Sequence, residues 1–422
     1  MQFFFPDSQD QISPEYDFRS DTYPTFRVRQ RDDLYAHETL AGPPMNGVLV
    51  SKAMVDSTGD SSSRYSMSQR HRLYRSGVHD FFRLDLPDGR RLTAMGDCGA
   101  FTYFRDDVPP FTVDEVIDFY DECDFDWGVS VDHVILAFQS DENEPDPDWV
   151  RRRDLTIDLA AEFLKRHHER NCRFEPLGTA QGWSPTSIAQ SVAELQKIGY
   201  RRIAVGGLVP LKTTEVLDCL SAINDQREPT TQLHLLGITR CENVHEFASF
   251  GVTSFDSTSP FRQAFMDDRD NYWTINETFT ALRVPQVDGN PSLKRRIRAG
   301  QIDQGEAVRL EKECLQVLAA FDHRETTVEE TVSVLRAYEV LYDQKSDHSD
   351  EYRRTLEARP WDDCACGICD TARIDAAIFR GTERNKRRGF HNLHVFRQRL
   401  DHEISLEPTH AKRQKPAPTQ AR

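Results

Sequence analysis

The feature that most constrains the fold is a regular alternation of short apolar strands with amphipathic helices, which starts near residue 90. The predicted strands are 91–95, 127–131, 172–177, 202–205, 232–236 and 252–255. The predicted helices between them are 114–123, 148–168, 185–198, 212–223 and 242–250. In residues 185–198, for example, Ile188, Val192 and Leu195 recur at helical spacing. Strands that alternate with helices in this way predict a parallel sheet with right-handed crossovers.

The ends of these strands favour a closed sheet. Each predicted strand ends in a polar residue or a glycine, and at least six such units follow one another. In a (β/α)₈ barrel the active-site residues lie at the carboxyl ends of the strands. We therefore predict an α/β chain with a TIM-type (β/α)₈ barrel. A doubly wound open sheet is the alternative, because periodicity alone does not report closure.

Composition and length predict a multi-part soluble protein of the cytoplasm. The chain has 422 residues, 38% hydrophobic and 29% charged, and its first residues lack the pattern of a signal peptide. No apolar run reaches membrane-spanning length. A Ser- and Arg-rich stretch, 54–75, predicts a mobile loop. We expect an irregular arm over 1–40, a catalytic barrel with insertions over 41–355, a zinc-binding segment with a closing helix over 356–401, and a disordered tail over 402–422.

The net charge of −16 argues against a protein that coats nucleic acid without specificity, although a local basic strip can still grip phosphates. Two basic runs are candidate phosphate contacts, and two solvated faces are the alternative. The runs comprise Lys294, Arg295, Arg296 and Arg298, and then Arg384, Lys386, Arg387 and Arg388.

A cysteine cluster near the C-terminus predicts a metal site. Cys364, Cys366 and Cys369 lie within one short segment, and His391 and His394 follow. Three thiolates and one imidazole suit a tetrahedral Zn²⁺ ion, and four protein ligands leave no open position for catalysis. The predicted zinc is therefore structural. Spacing alone does not choose between the two histidines, and three unrelated cysteines are the alternative.

Three carboxylates stand at predicted strand ends. A single aspartate there is often only a cap for the next helix. Together, Asp97, Asp132 and Asp256 on one barrel face are what displacement at an anomeric carbon requires, with one nucleophile and one proton carrier. Glycines at Gly206, Gly207 and Gly237 would let backbone amides approach a flat ligand.

These motifs occur in an order that resembles the tRNA-guanine transglycosylase superfamily. The motifs are Asp97-Cys98-Gly99-Ala100-Phe101, Gln181-Gly182, Ala204-Val205-Gly206-Gly207-Leu208, Leu236-Gly237, residues 255–262 and the Cys-x-Cys-x-x-Cys…His-Asn set. The resemblance runs from about residue 45 to residue 400. It implies a zinc-containing (β/α)₈ barrel that exchanges guanine in a polynucleotide for a 7-deazaguanine through a covalent Asp-glycosyl intermediate.

The resemblance also implies roles for individual residues. It makes Asp256 the nucleophile and Asp97 the proton shuttle. It makes Asp132 and Gln181 the groups that recognise the pyrimidine edge of the base. Gly206, Gly207 and Leu208 would contact the base through their backbones, and Phe101 would stack on it. Arg262, Lys294, Arg295, Arg296 and Arg298 are the expected nucleic-acid contacts. The implied zinc ligands are Cys364, Cys366, Cys369 and His391, which selects His391 over His394.

Departures from the usual pattern indicate a branch. Cys98-Gly99-Ala100-Phe101-Thr102 replaces a Ser-Gly-Gly-aromatic-Gln segment, Ser257-Thr258-Ser259-Pro260-Phe261-Arg262 replaces Cys-x-x-Pro-Thr-Arg, and His133 replaces a glutamate. With the Phe-Phe-Phe-Pro-Asp opening, these resemble the DpdA-type branch, which implies DNA as the polymer and preQ0 as the incoming base, with a helper ATPase and a homodimer as further expected partners and no membrane. Three alternatives are a tRNA-guanine transglycosylase, a non-catalytic nucleic-acid-binding barrel subunit and an N-glycoside hydrolase.

Overall fold

The structure, a computed structural model that describes residues 1–7, 9–56, 64–139 and 143–406, contains a closed barrel of eight parallel strands. The strands are β1 (Gln2–Pro6), β2 (Gly47–Ser51), β3 (Thr93–Asp97), β4 (Trp127–Val129), β5 (Glu175–Ala180), β6 (Arg202–Val205), β7 (Gln232–Leu235) and β8 (Val252–Asp256). The barrel closes because β1 pairs with both β2 and β8, so that Phe4 lies beside Gly47 on one side and Asp256 on the other. The predicted fold class is confirmed.

Apolar side chains fill the interior of the barrel. They belong to Phe4, Leu49, Met95, Val129, Leu177 and Ala204, one from each of six strands. Because side chains alternate between the two faces of a strand, the residue two positions further on also points inward. Met95 and Asp97 therefore lie on the same, inward face of β3. At the carboxyl ends of the strands, polar side chains thus form a layer above the apolar interior.

Nine helices of the described chain belong to the barrel region, and side-chain caps begin several of them. They are α1 (Ala36–Thr39), α2 (Lys52–Asp56), α3 (Met67–Phe82), α4 (Val113–Glu122), α5 (Pro147–Arg170), α6 (Pro185–Ile198), α7 (Thr213–Asn224), α8 (Val244–Ser249) and α9 (Ser259–Met266). Thr112, Asp146 and Ser184 each accept a hydrogen bond from a first-turn N–H of α4, α5 and α6. These caps place the helix starts directly after the loops that leave the carboxyl ends of the strands.

The C-terminal part adds six helices and four short strands among the described residues. They are β9 (Tyr272–Trp273), β10 (Thr278–Phe279), β11 (Leu282–Arg283), α10 (Pro291–Arg298), α11 (Gln304–Asp322), α12 (Val328–Tyr342), α13 (Ser349–Ala358), α14 (Gly367–Ala372), β12 (Ile378–Phe379) and α15 (Gly381–Ser405). Helix α15 returns to the barrel, where Phe396 packs against Phe3 at a ring-centroid distance of 4.8 Å and against Phe255 at 6.2 Å. The C-terminal segment therefore closes the outer layer between β8 and β1.

The N-terminal prediction is wrong in part. Residues 2–6 form β1 rather than an irregular arm, and β2 over Gly47–Ser51 was also missed. Both faces of β1 are buried, with Phe4 inside the barrel and Phe3 and Phe5 under helices. β1 and β2 precede the strand–helix alternation that identified the other strands, because the four-residue α1 rather than a long amphipathic helix lies between them.

Two predicted flexible stretches also differ. Residues 67–75 belong to helix α3 rather than a loop, and residues 402–405 belong to α15 rather than a tail. Residues 57–63 and 407–422 lie outside the described residues. Ser66 caps α3 by accepting from Gln69 N, a start signal that the serine-rich composition had concealed. Within the described ranges, none of the helices has the length and apolar character needed to cross a bilayer.

Candidate active site

The first half of the site is a carboxylate pair at the ends of β3 and β4. The carboxylate oxygens of Asp97 and Asp132 and the Cys98 sulfur lie within 4.8 Å of one another. The Cys98 thiol donates to Asp132 Oδ1 at 3.0 Å, and the amide of Gln181 donates to Asp132 Oδ2 at 2.7 Å. Each oxygen of Asp132 thereby accepts one hydrogen bond, and the two donors fix the orientation of the carboxylate in the barrel mouth.

The surroundings of Asp97 favour its neutral form. Desolvation raises the pKa of Asp97 to about 8, with the negative charges of Asp132 and Asp256 acting in the same direction. Backbone N–H groups of Gly99 and Cys98 offset only part of this effect. Asp97 therefore holds a proton at neutral pH and can act as a general acid.

Asp132 experiences burial and hydrogen bonding in opposite directions. Burial raises the pKa of Asp132, while the donors on Cys98 and Gln181 favour its charged form and reduce that rise. A buried carboxylate with two fixed donors is a rigid acceptor with remaining lone pairs. Such a group is suited to accept N–H donors of a bound base.

The second half of the site is Asp256 at the end of β8, where it is only 6% exposed. Its Oδ1 accepts from Gly237 N at 3.0 Å and from His234 Nε2 at 3.2 Å. Because a carboxylate oxygen only accepts, Nε2 carries the proton, and His234 Nδ1 accepts from the Ser254 hydroxyl at 2.8 Å. Among the described residues, both donors act on Oδ1. Oδ2 therefore receives neither of these two hydrogen bonds.

A glycine pair after β6 forms a flat wall beside Gln181. A Cβ atom on Gly206 would lie 2.2 Å from Gln181 Nε2, and one on Gly207 would lie 2.7 Å from the carbonyl oxygen of Ile135. Gly207 also has φ +73°, which disfavours side chains. Gln181 Oε1 in turn accepts from Ile135 N at 3.3 Å. Glycine at both positions therefore permits the close approach of this backbone to Gln181 and Ile135. The next residue, Leu208, is buried.

The remaining predicted contacts lie around this mouth or beyond it. Phe101 is 50% exposed on a short 3₁₀ turn after Asp97, and Arg262 is partly exposed on the first turn of α9 after Asp256. On α10, Lys294, Arg295 and Arg298 are exposed. Arg296 is half-buried, and it donates to the carbonyl oxygen of Tyr342 at 2.9 Å. It therefore also has a structural contact.

The second basic run does not face solvent, which corrects its interpretation as a phosphate contact. Arg384, Arg387 and Arg388 are at most 4% exposed. Arg384 pairs with Asp21, and Arg387 pairs with Glu383. Arg388 donates to backbone carbonyl groups, and burial lowers its pKa to about 9. These side chains lie on the inner face of α15, a property that charge density in the sequence does not reveal.

The predicted metal ligands come together between α14 and α15. His391 Nδ1 lies 3.5 Å from the sulfur of Cys364, 3.5 Å from that of Cys366 and 3.3 Å from that of Cys369. In a tetrahedral zinc site the sulfur and nitrogen ligands are separated by about 3.5 Å, given metal–ligand bonds of about 2.3 and 2.0 Å. The donor set and its spacing fit Zn²⁺, and these four residues can hold a metal ion.

The surroundings of His391 prepare Nδ1 as a ligand. His391 Nε2 donates to the carbonyl oxygen of Trp273 at 2.7 Å, which fixes the tautomer. The ring of Tyr272 stacks on the imidazole at a centroid distance of 4.2 Å. His394 lies outside the four-ligand group. The structure thus selects His391, as the resemblance implied.

Two groups of this site were missed at the level of sequence. His234 lies in β7 and orients Asp256. The Tyr103 hydroxyl donates to Asp132 O at 3.2 Å and contacts Cys98 Sγ at 3.0 Å. The signal for His234 was a titratable residue within an otherwise apolar buried strand. Tyr103 carried no comparable signal, because its partner Asp132 is distant in sequence.

Comparisons with known proteins agree with this geometry. A family model described as queuine tRNA-ribosyltransferase matches residues 67–280. The chain is 46% identical over 414 residues to a DNA-guanine transglycosylase from Salmonella montevideo, which covers 96% of this chain and 98% of that protein. It is 32% identical over 139 residues to a queuine tRNA-ribosyltransferase from Marinobacter nauticus (strain ATCC 700491 / DSM 11845 / VT8), 31% of this chain and 36% of that protein.

Proposed function

The chain belongs to the queuine tRNA-ribosyltransferase family, within the tRNA-guanine transglycosylase superfamily, and we propose that it is the DNA-guanine transglycosylase of that group, exchanging guanine in DNA for a 7-deazaguanine. It is a glycosyltransferase of the base-exchanging kind. The observation that supports the proposed mechanism is the contrast between two aspartates at one barrel mouth. Asp97 is favoured in its neutral form, whereas Asp256 is held by two donors on one oxygen.

This contrast gives each carboxylate a role in the first half-reaction. Asp256 Oδ2 attacks C1′ of the target nucleotide while the bond from C1′ to the guanine nitrogen breaks. Asp97 donates its proton to the departing base, because guanine is a poor leaving group when anionic. The products are free guanine, an Asp97 carboxylate and a sugar linked to Asp256.

The second half-reaction reverses the roles. The 7-deazaguanine loses its N–H proton to the Asp97 carboxylate, its nitrogen attacks C1′, and the bond from C1′ to Asp256 breaks. Asp97 is again protonated and Asp256 is again free, so the enzyme returns to its starting state. One glycosidic bond is broken and one is made, and the exchange therefore needs no external energy source.

Base recognition is proposed for the network around Asp132. The fixed Asp132 and Gln181 side chains accept and donate along the pyrimidine edge, the Gly206–Gly207 wall supplies backbone contacts with Leu208, and the exposed ring of Phe101 covers a face of the base. Arg262 and the exposed basic residues of α10 are proposed to contact phosphates. These assignments rest on position and chemistry.

The metal is proposed to be a structural Zn²⁺ ion held by Cys364, Cys366, Cys369 and His391. When bound, it would cross-link the segment before α14 to helix α15, which packs on the barrel. Four protein ligands leave no position for a substrate. The use of preQ0 as incoming base, a helper ATPase and a homodimer stay predictions.

Uptake of labelled base tests the function. Purified protein is incubated with labelled preQ0 or guanine and either plasmid DNA or tRNA, and the label in each polymer is counted. We expect label in DNA, and loss of uptake by a factor of about a thousand or more for Asp256→Asn, as for other covalent nucleophiles. Asp88→Asn, an exposed aspartate paired with Arg90, is the control and should retain uptake.

Each alternative gives its own result in that experiment. Label in tRNA alone would identify a tRNA-guanine transglycosylase. Release of guanine without uptake of label would identify an N-glycoside hydrolase. Binding of DNA with neither release nor uptake would identify a non-catalytic subunit.

A further inference from the structure

Apolar side chains are exposed on the loop between β3 and α4, residues 98–112, which we call the β3–α4 loop. Phe101, Phe104 and Val108 are 50%, 37% and 58% exposed. Leu136 and Val209, on the loops that follow β4 and β6, are also exposed. All of these loops leave the carboxyl ends of the strands, the same edge that carries the proposed catalytic pair. These five exposed apolar side chains therefore lie at the edge from which a ligand of the proposed site would approach.

Hydrogen bonds to backbone carbonyl groups hold the outer part of the β3–α4 loop, and the Arg105 guanidinium carbon lies 5.2 Å from the centroid of the Phe104 ring. Arg152 Nη1 donates to the carbonyl oxygen of Phe104 at 2.8 Å, and His133 Nε2 donates to that of Asp106 at 2.8 Å. Arg152 Nη1 also donates to His133 Nδ1 at 2.7 Å, which fixes Nε2 as the protonated nitrogen. The Phe104 ring therefore projects from a clamped backbone.

The inner part of the same loop joins the base-reading network. The Tyr103 hydroxyl contacts Cys98 Sγ at 3.0 Å and donates to the carbonyl oxygen of Asp132 at 3.2 Å. Arg151 Nη1 adds a further clamp on the carbonyl oxygen of Asp107 at 2.7 Å. Phe104 is thus the first residue outside the network that would hold the target base, and it is fixed relative to that network.

The charges of the loop tip do not suit a phosphate contact. Arg105, Asp106 and Asp107 are exposed at the tip. Arg151 and Arg152, which donate to its backbone, both pair with Asp148. Acidic and basic side chains around the tip are therefore equal in number and form no basic strip for phosphates, whereas an aromatic ring and the Val108 methyl groups match the faces of bases. Apolar side chains that enter between base pairs are a known means of unstacking a duplex.

We propose that Phe104 is a wedge that enters the base stack of duplex DNA at the position vacated by the target guanine. This inference rests on the proposed function and deepens it by naming the state of the polymer that the site accepts. The ring would replace the stacking that the neighbouring bases lose when the guanine turns into the barrel mouth. The clamped backbone would supply this ring without an ordering cost at the moment of binding.

The ratio of two rates tests the wedge. Labelled-base uptake is measured on one sequence as a duplex and as a single strand, for the wild-type protein and its variants. Phe104→Ala should lower the duplex-to-single-strand ratio by about tenfold or more, since the loss of one aromatic stacking contact has that order of effect. Phe104→Trp should preserve the ratio. Phe26→Ala, at a phenylalanine that is 92% exposed in the N-terminal region, is the matched control and should also preserve it.

A second readout follows the unstacking directly. With 2-aminopurine placed next to the target guanine in the duplex, wild-type protein should increase its fluorescence and Phe104→Ala should increase it much less. An unchanged rate ratio in Phe104→Ala, or a wild-type protein that uses single strands alone, would overturn the wedge and leave base exchange in DNA intact. Uptake of label into tRNA alone would overturn the proposed function as well.

Discussion

His234 Nε2 donates to Asp256 Oδ1 at 3.2 Å, across the neighbouring strands β7 and β8. Because a carboxylate oxygen only accepts, Nε2 carries the proton, and the Ser254 hydroxyl donates to the other nitrogen of the ring. This relationship gives the two oxygens of Asp256 different tasks. Oδ1 is anchored by His234 and Gly237, and Oδ2 is left for the proposed attack.

Substitution of His234 tests this division of tasks. His234→Phe should lower kcat by about tenfold to a hundredfold and change KM little, because it removes an orienting donor rather than a substrate contact. His234→Gln, whose amide can donate, should recover part of kcat. His167→Gln is the control, since His167 is also buried, on α5, and donates to the Phe174 carbonyl at 2.7 Å. An effect on KM alone would contradict the orienting role.

The rate of base exchange should fall on the alkaline side. Desolvation, with the charges of Asp132 and Asp256, raises the pKa of Asp97 to about 8, and the proposed first step requires its protonated form. The plot of kcat/KM against pH should therefore decline through about pH 8 as this proton is lost. In Asp97→Asn, the residual rate should lack this decline. If the decline of kcat/KM persisted in Asp97→Asn, a group other than Asp97 would be responsible for it.

The same carboxyl should make stability depend on pH. In the unfolded chain Asp97 has the ordinary aspartate pKa of 3.8, whereas in the folded protein its pKa is about 8. Between these values the unfolded state loses a proton that the folded state retains, so this group lowers stability as pH rises and its effect is constant above about 8. Asp97→Asn should raise the melting temperature at pH 8 and have little effect at pH 4. Equal effects at both values would refute the raised pKa.

Loss of the metal should destabilise the C-terminal segment. Cys366→Ser or a strong chelator should lower the melting temperature, and the protein as purified should contain one zinc per chain by elemental analysis. Cys314→Ser is the control, because Cys314 is a buried thiol on α11 outside the four-ligand group. Full base exchange after complete removal of the metal would contradict a structural role.

Sequence patterns predicted the strands that alternate with long amphipathic helices, and they failed for the two strands that precede this alternation. β3 to β8 were identified because each leads from an apolar run to a polar residue or a glycine, as at Asp97 and Asp256. β1 and β2 were missed because they precede this alternation, with the four-residue α1 rather than a long helix between them. Closure of the barrel depends on β1, and no local pattern reports it.

The candidate site shows a similar limit. The order of motifs predicted that Asp97, Asp132 and Gln181 would lie together and that the metal ligands would form a separate group. Both groups are present in the structure. It did not reveal His234, whose role depends on pairing between β7 and β8. It also treated two basic runs alike, although one lies on the buried face of α15 and the other is exposed on α10. Which face of a helix is covered is decided by packing partners that are distant in sequence.

The exposed face of α10 leads to the last prediction. Arg295→Glu and Arg298→Glu should weaken DNA binding, and more strongly at low salt than at high salt, because phosphate contacts release condensed counterions. Each substitution should reduce the slope of log Kd against log salt by about one. Arg296 is left unchanged, since its bond to the Tyr342 carbonyl would confuse binding with folding.

The matched control for α10 is Arg90→Glu. Arg90 is exposed and pairs with Asp88 between α3 and β3, at the end of the barrel opposite to the carboxylates. A charge reversal there changes the net charge equally, so any long-range effect on DNA would be shared by all variants. If Arg90→Glu reduced the salt slope as much as Arg295→Glu, the contribution of α10 would be one of net charge and not of contact.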